Sequence, residues 1–213
     1  MSGQFASLDD VMGSNPVMPV IVIERLEHAV PLARALVAGG VRVLEVTLRS
    51  ACALAAIRAI SEAVPDAIVG AGTILNERDL QAAGEAGARF GVSPGATPGL
   101  LRAARDGGWS FLPGVISPSE AMVALDEGFH ALKFFPAVPA GGIEMLKAIG
   151  GPLSQLRFCP TGGISPATAP DFLALGNVAC IGGSWLAPKS LVAAGDWDAI
   201  RELARQSTLL RKA

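Results

Sequence analysis

Short runs of aliphatic and β-branched residues recur along the chain, each followed by a stretch with apolar residues at helical spacing. The runs predict strands at Val20–Ile23, Val41–Val46, Ile68–Ala71, Phe90–Val92, Phe111–Leu112, Ala131–Phe134, Arg157–Cys159 and Val178–Ile181. The stretches between them predict helices at Glu27–Ala38, Ala51–Ala63, Glu77–Ala86, Pro98–Arg105, Pro118–Glu127 and Gly142–Ile149, several of which run into Gly or Pro. Residues 1–15 read as an accessory N-terminal helix over the floor of the fold, and residues 196–213 as a terminal helix. Strand–helix alternation of this kind implies a parallel sheet with right-handed crossovers. Thr73, Ser93, Pro113 and Lys133 close successive strands at a constant interval of 20 residues. That regularity favours a closed (β/α)8 TIM barrel over an open doubly wound sheet. An open dinucleotide-binding sheet would also want G-x-G-x-x-G after its first strand, where this chain has Glu24-Arg25-Leu26. No linker divides residues 1–213, so a single barrel domain is expected.

Composition sharpens this picture. Hydrophobic residues make up 51% of the chain and the mean hydropathy is +0.46, enough for a large core. Aromatics are only 5% and Tyr is absent, so the core must be built from Ala, Val, Leu and Ile, as suits parallel strands buried on both faces. A net charge of −2 without basic runs argues against nucleic acid or an anionic membrane as partner. No apolar run reaches the roughly 18 residues of a membrane span. The segment Met1–Asn15 carries Asp9 and Asp10 and no basic residue, unlike a secretory leader. Cys52, Cys159 and Cys180 are odd in number and lie in apolar segments, which favours a reducing cytoplasm over a disulfide framework. His28 and His130 have no partners at ligand spacing, so neither a metal nor another cofactor is expected.

The chemistry of a barrel gathers at the C-terminal ends of its strands. Of the four lysines, Lys147 falls on a helix, Lys189 in a loop and Lys212 in the tail; only Lys133 is embedded in an apolar strand. Burial penalises a charged amine, and a neutral amine is the nucleophile that attacks a ketone. The plainer alternative is a lysine snorkelling to water at a strand end. Glu45 is a carboxylate with apolar residues on both sides, suited to carrying protons or to a structural ion pair with Arg49 or Lys133. Arg49, just beyond, is either a bidentate carboxylate grip or an ordinary surface arginine. Val69-Gly70-Ala71-Gly72-Thr73 offers close approach of a ligand to the backbone, or simply a tight turn. Gly162-Gly163 and Gly182-Gly183, flanked by Thr161 and Ser184, have the make-up of a phosphate cradle built from backbone N–H groups and a helix N-terminus. Together these residues predict a Schiff-base enzyme acting on a small keto acid. A sugar-phosphate isomerase or epimerase would use Glu45 and the cradle but leaves Lys133 without a role. A non-catalytic binder of phosphorylated metabolites would need neither Lys133 nor Glu45.

With these residues assembled, the chain resembles the bifunctional 2-keto-3-deoxy-6-phosphogluconate and 4-hydroxy-2-oxoglutarate aldolases from about Pro19 to Gly195. The segments that carry the resemblance are Gly40–Arg49, Val69–Thr73, Lys133–Ala137, Phe158–Pro166 and Ile181–Leu186. The resemblance implies a homotrimeric, metal-free aldolase of the Entner–Doudoroff pathway. Its substrate would be a phosphorylated keto acid, cleaved to pyruvate and glyceraldehyde 3-phosphate. It implies Lys133 as the Schiff-base lysine, Glu45 as the general acid/base, and Arg49 and Thr73 as contacts to the pyruvate carboxylate. Thr161 would lie near the aldehyde portion, Gly162, Gly163, Gly183 and Ser184 would bind phosphate, and Pro94 and Phe135 would complete the substrate contacts. The loops Ser93–Pro98 and Val138–Gly141 depart from the family pattern.

Overall fold

The computed structural model describes residues 5–210. Its strands are β1 (Val17–Ile21), β2 (Val43–Thr47), β3 (Ile68–Gly72), β4 (Gly91–Val92), β5 (Phe111–Leu112), β6 (Gly114–Val115), β7 (Ala131–Phe134), β8 (Arg157–Pro160) and β9 (Ile181–Gly183). They form a curled, six-stranded half-barrel sheet in the order β5-β4-β3-β2-β1-β9 and a three-stranded sheet β6-β7-β8. Every pairing is parallel. Two isolated bridges, Phe158↔Val178 and Thr161↔Gly182, connect β8 to the β9 side of the larger sheet.

Parallel strands bury both faces, and the side chains divide by parity. Along β2, Leu44 and Val46 face outward into a core shared with the helices α2 (Ala29–Ala38) and α3 (Ala53–Ala63), where they meet Leu32, Leu36, Ile57 and Ile60. Val43 faces the other way, into an inner core with Met18, Phe90, Val92, Leu112, Cys159 and Cys180. The short helix α1 (Leu8–Gly13) contributes Val11 and Met12 to that inner core, beside the beginnings of the strands. Six residues are too few for a stable isolated helix. Burial of those two side chains, and Ser7 accepting the Asp10 N–H at 3.0 Å, hold α1 in place. The remaining helices are α4 (Glu77–Glu85), α5 (Pro98–Asp106), α6 (Pro118–Asp126), α7 (Gly142–Gly150), α8 (Ala169–Leu173), α9 (Lys189–Ala194) and α10 (Trp197–Thr208). Side-chain caps start several of them: Asn76 for α4, Thr97 for α5, and Ser117 with Glu120 as a capping box for α6.

The differences from the sequence pattern have local causes. The first strand begins at Val17 rather than Val20 and runs through Pro19, although a proline, with no N–H for a ladder, argues against a central strand. The fold accommodates it by dividing the strand's register: Val17, Met18 and Pro19 align with β9, whereas Val20 and Ile21 align with β2. Likewise Pro113 ends the fifth predicted run, yet pairing resumes immediately in β6. The last strand is Ile181–Gly183 rather than Val178–Ile181, since Gly182 and Gly183 look like turn residues in sequence. Their missing side chains instead make room within the strand for Thr161 and Trp185. The helix expected from Glu27 opens with a 3-10 turn over Leu26–His28, and α8 and α9 are too short to show a helical period. The terminal helix expected over 196–213 spans Trp197–Thr208; residues 1–4 and 211–213 of the two terminal expectations lie outside the described residues. Among the described residues no helix is long and apolar enough to cross a membrane.

Candidate active site

Glu45 shares the inward parity of Val43, and Lys133 on β7 points into the same interior. Glu45 is 1% exposed and Lys133 5% exposed. The Lys133 Nζ donates to Glu45 Oε1 at 3.1 Å. Each ion loses several kcal/mol of hydration on burial, about what a close, hydrogen-bonded partner can offset, so neither is stable there without the other. The ammonium also lies over the Phe135 ring, 5.4 Å from its centroid, within reach of the ring's negative face. In register, Lys133 stands between Gly114 of β6 and Cys159 of β8. A Cβ on Gly114 would come within 2.3 Å of the Pro94 carbonyl, so the Pro94 backbone abuts the strand next to Lys133.

The glycines at the end of β3 serve a purpose different from the one their pattern suggests. A Cβ at Gly70 would lie 2.4 Å from the Phe90 ring, and one at Gly72 would lie 2.2 Å from Glu45 Oε1. The protein's own side chains, not a ligand, occupy that space. Thr73 follows with φ 61°, a left-handed conformation that costs a β-branched residue about 1–3 kcal/mol and is typical of functional sites. At the end of β9 the same holds: a Cβ on Gly182 would lie 2.1 Å from Thr161 Oγ1, and one on Gly183 would lie 2.4 Å from Trp185. Gly183 is therefore a buried packing position, whereas Ser184 next to it is exposed. Gly162 and Gly163 lie in a loop with φ 106° and 82°, and Gly163 is exposed. No helix begins directly at either glycine pair. The helices that follow start at Ala169 and Lys189, so loop backbone lies beside the glycines where a helix N-terminus was expected.

Thr161 is buried, its N–H bonded to the Phe134 carbonyl at 2.9 Å, which ties the β8 end to the β7 end beside Lys133. Arg49 is exposed and lines a cavity of about 510 Å³ with Val20, Glu24, Ser184 and Lys189. Arg49 and Ser184, separated by most of the sequence, thus share one mouth, while Lys133 and Glu45 are buried and do not line it. A larger cavity of about 800 Å³ lies at the other end, against Leu8, Met12, Trp109, His130 and Arg157. It has no buried nucleophile, and its Arg105 and Glu127 are paired to each other, whereas the smaller cavity presents Arg49, which forms no ion pair among the described residues. Beneath the lysine, the pKa of the Cys180 thiol is pushed well above its ordinary value, first by the neighbouring Cys159 thiol, then by burial and by the Glu45 carboxylate. Cys52, Cys159 and Cys180 are free thiols.

Two buried polar residues carry no assigned role in the sequence reading. Ser93 Oγ accepts the Gly114 N–H at 3.2 Å across the break at Pro113. Thr47, 1% exposed, sits one inward step beyond Glu45 and bonds Arg49. Alternation along β2 was the signal that could have found Thr47, since it has the parity of Glu45.

A lysine and a carboxylate buried in contact at parallel strand ends define an enzyme of carbonyl chemistry, poised for attack on a keto group. Comparison with known proteins gives the family. Residues 8–203 match the KDPG and KHG aldolase model, and the chain belongs to that family. It is 57% identical over 201 residues to the KHG/KDPG aldolase of Escherichia coli K12, covering 94% of each chain. It is 55% identical to the 2-dehydro-3-deoxy-phosphogluconate aldolase of Pseudoalteromonas atlantica, again over 94% of each. Among solved structures it is similar to the KDPG aldolase of Legionella pneumophila, which holds pyruvate as a covalent carbinolamine. The TM-score is 0.93 at 46% identity, over 95% of this chain and 98% of that one.

The space left by Gly72 generates a test. Gly72→Ala should force the Glu45 carboxylate away from Lys133, and a displacement of about 1 Å costs on the order of 10²-fold in turnover. Circular dichroism should remain native. Full activity in this variant would mean that the Lys133–Glu45 contact is not needed.

Proposed function

We propose that the protein is a class I aldolase. It cleaves 2-dehydro-3-deoxy-6-phosphogluconate to pyruvate and glyceraldehyde 3-phosphate through a Schiff base on Lys133, and also acts on 4-hydroxy-2-oxoglutarate. The observation that carries this reading is the buried Lys133 Nζ–Glu45 Oε1 contact of 3.1 Å, which gives the nucleophile its proton acceptor before substrate arrives. The covalent pyruvate adduct in the Legionella relative supports the same chemistry.

The steps follow from these groups. The neutral Lys133 amine adds to the C2 carbonyl, giving a carbinolamine, and loss of water leaves an iminium ion. Glu45, directly or through one water, takes the proton of the C4 hydroxyl as the C3–C4 bond breaks and its electrons flow to the iminium nitrogen. The aldehyde departs and an enamine of pyruvate remains. Protonation at C3 and hydrolysis release pyruvate and restore the amine. The iminium is itself the electron sink that a metal ion supplies in other aldolases.

In this reading Arg49 and Thr73 hold the keto-acid carboxylate, with Pro94 and Phe135 walling the pyruvate portion. Thr161 faces the aldehyde portion. Gly162, Gly163 and Ser184 receive the phosphate, with Gly183, whose side-chain space Trp185 fills, able to contribute only backbone, and the shared cavity of Arg49 and Ser184 supports one substrate spanning both ends. We read residues 1–213 as a single closed (β/α)8 barrel with α1 over its floor. The bridges from β8 to the β9 side and the single residue between β5 and β6 support closure. The family resemblance supports a homotrimer working in the cytoplasm without a cofactor.

Three outcomes test this function. Pyruvate with borohydride should add one reduced pyruvyl group to the peptide carrying Lys133. Lys133→Arg, which preserves a cation beside Glu45, should give neither adduct nor cleavage because a guanidinium has no neutral form to attack with. An adduct on Lys147 or Lys189 would sink the assignment. Glu45→Gln should fold and lose about 10²–10⁴-fold in kcat if it carries the proton. Ser184→Ala should lower kcat/KM on the phosphorylated substrate roughly tenfold to a hundredfold, the value of one hydrogen bond to a charged group. The same variant should leave 4-hydroxy-2-oxoglutarate cleavage nearly unchanged; equal losses on both substrates would remove Ser184 from the phosphate site.

A further inference from the structure

We propose that Thr47 is a positioning residue that sets the rotation of the Arg49 guanidinium and thereby the mode in which a substrate carboxylate is gripped. Thr47 closes β2 and is 1% exposed. Its Oγ1 donates to the Ile21 carbonyl of β1 at 2.9 Å and accepts the Arg49 Nε–H at 3.2 Å. The direction of both bonds is forced. A carbonyl only accepts and a guanidinium only donates, so the hydroxyl must give its one proton to Ile21 and turn a lone pair to Arg49. The β-branched side chain, stiff at χ1, keeps the hydroxyl at that angle.

Among the described residues Arg49 forms no ion pair, and Thr47 is the one polar partner of its side chain. A cation at a cavity mouth, left without a carboxylate of the protein's own, is free for a ligand's. Because Nε is already engaged, a side-on grip through Nε and one Nη is closed off. The Nη1 and Nη2 edge remains, and a carboxylate is received end-on by two parallel N–H groups. Thr47 thus links the rigid β1–β2 ladder, which also carries Glu45, to an otherwise flexible side chain. The spacing between the carboxylate grip and the reacting carbon becomes a property of the sheet.

This inference rests on the reading of Arg49 as the carboxylate contact, and the experiment separates the two. The readout is the pyruvate concentration that half-saturates borohydride trapping at Lys133, with acetone, a ketone lacking the carboxylate, as the control. Arg49→Ala should raise the half-saturating pyruvate concentration and leave acetone trapping unaffected. Thr47→Val, which keeps the shape and the strand propensity, should raise it roughly tenfold, in line with a lost hydrogen bond to a charged group. Acetone trapping should again be unchanged, and Thr47→Ser should recover most of the loss. In the Arg49→Ala background Thr47→Val should add nothing, since the two act as one unit. If Arg49→Ala leaves pyruvate trapping unaltered, the carboxylate reading of Arg49 fails and the proposal with it. If Arg49→Ala weakens pyruvate but Thr47→Val does not, or weakens pyruvate and acetone alike, Thr47 only packs the strand and the proposal alone is overturned.

Discussion

Taking a carboxylate and an ammonium out of water costs several kcal/mol for each, and only a close, well-directed partner compensates. Glu45 and Lys133 meet this condition across the interior of the fold, from strands that are far apart in sequence. Much of the surrounding structure exists to allow that meeting. Gly72 lacks a side chain because the carboxylate lies where its Cβ would be. Ser93 and Pro94 hold the break at Pro113, so that Gly114 stays beside Lys133. The Phe135 ring covers the ammonium. A buried pair of this kind adds little net stability compared with apolar packing, so its presence is better explained by chemistry than by folding.

The same logic runs through the rest of the mouth. Backbone is brought close wherever a side chain has been omitted, and the omitted volume is filled by a neighbour: Phe90 at Gly70, Thr161 at Gly182, Trp185 at Gly183. Gly162 and Gly163 both have a left-handed backbone, and Gly163 is exposed. The inner core beneath is sealed by α1 and contains Cys159 and Cys180, where the neighbouring Cys159 thiol and burial keep Cys180 protonated. The interior is thus polar at the strand ends and apolar below.

How far the sequence could be read depended on the range of the interaction involved. Alternating hydrophobic runs marked eight strand regions because burial on both faces of a parallel sheet demands apolar residues whatever their neighbours. Lys133 and Glu45 stood out because a charge in such a run has no local justification. Proline and glycine misled at the edges. Pro19 and Pro113 argue against pairing locally, yet pairing continues around both through a divided register and an immediate restart. The turn-like glycines of β9 lie within the strand, their space taken by Thr161 just beyond β8 and by Trp185.

The sequence by itself determined the alternation of strands and helices, the apolar character of both cores, and the identity of the two charges that break it, because each is written in the residue and its immediate neighbours. Tertiary structure alone decided that Lys133 and Glu45 face each other at 3.1 Å, that Arg49 and Ser184 line one cavity, and that Gly72 yields its space to a carboxylate. It also decided that Thr47 joins β1 to Arg49. Apart from the Thr47–Arg49 bond, these are contacts between residues tens of positions apart. Curvature of the sheet and the register of its parallel strands bring them together, and neither property is encoded at any single position.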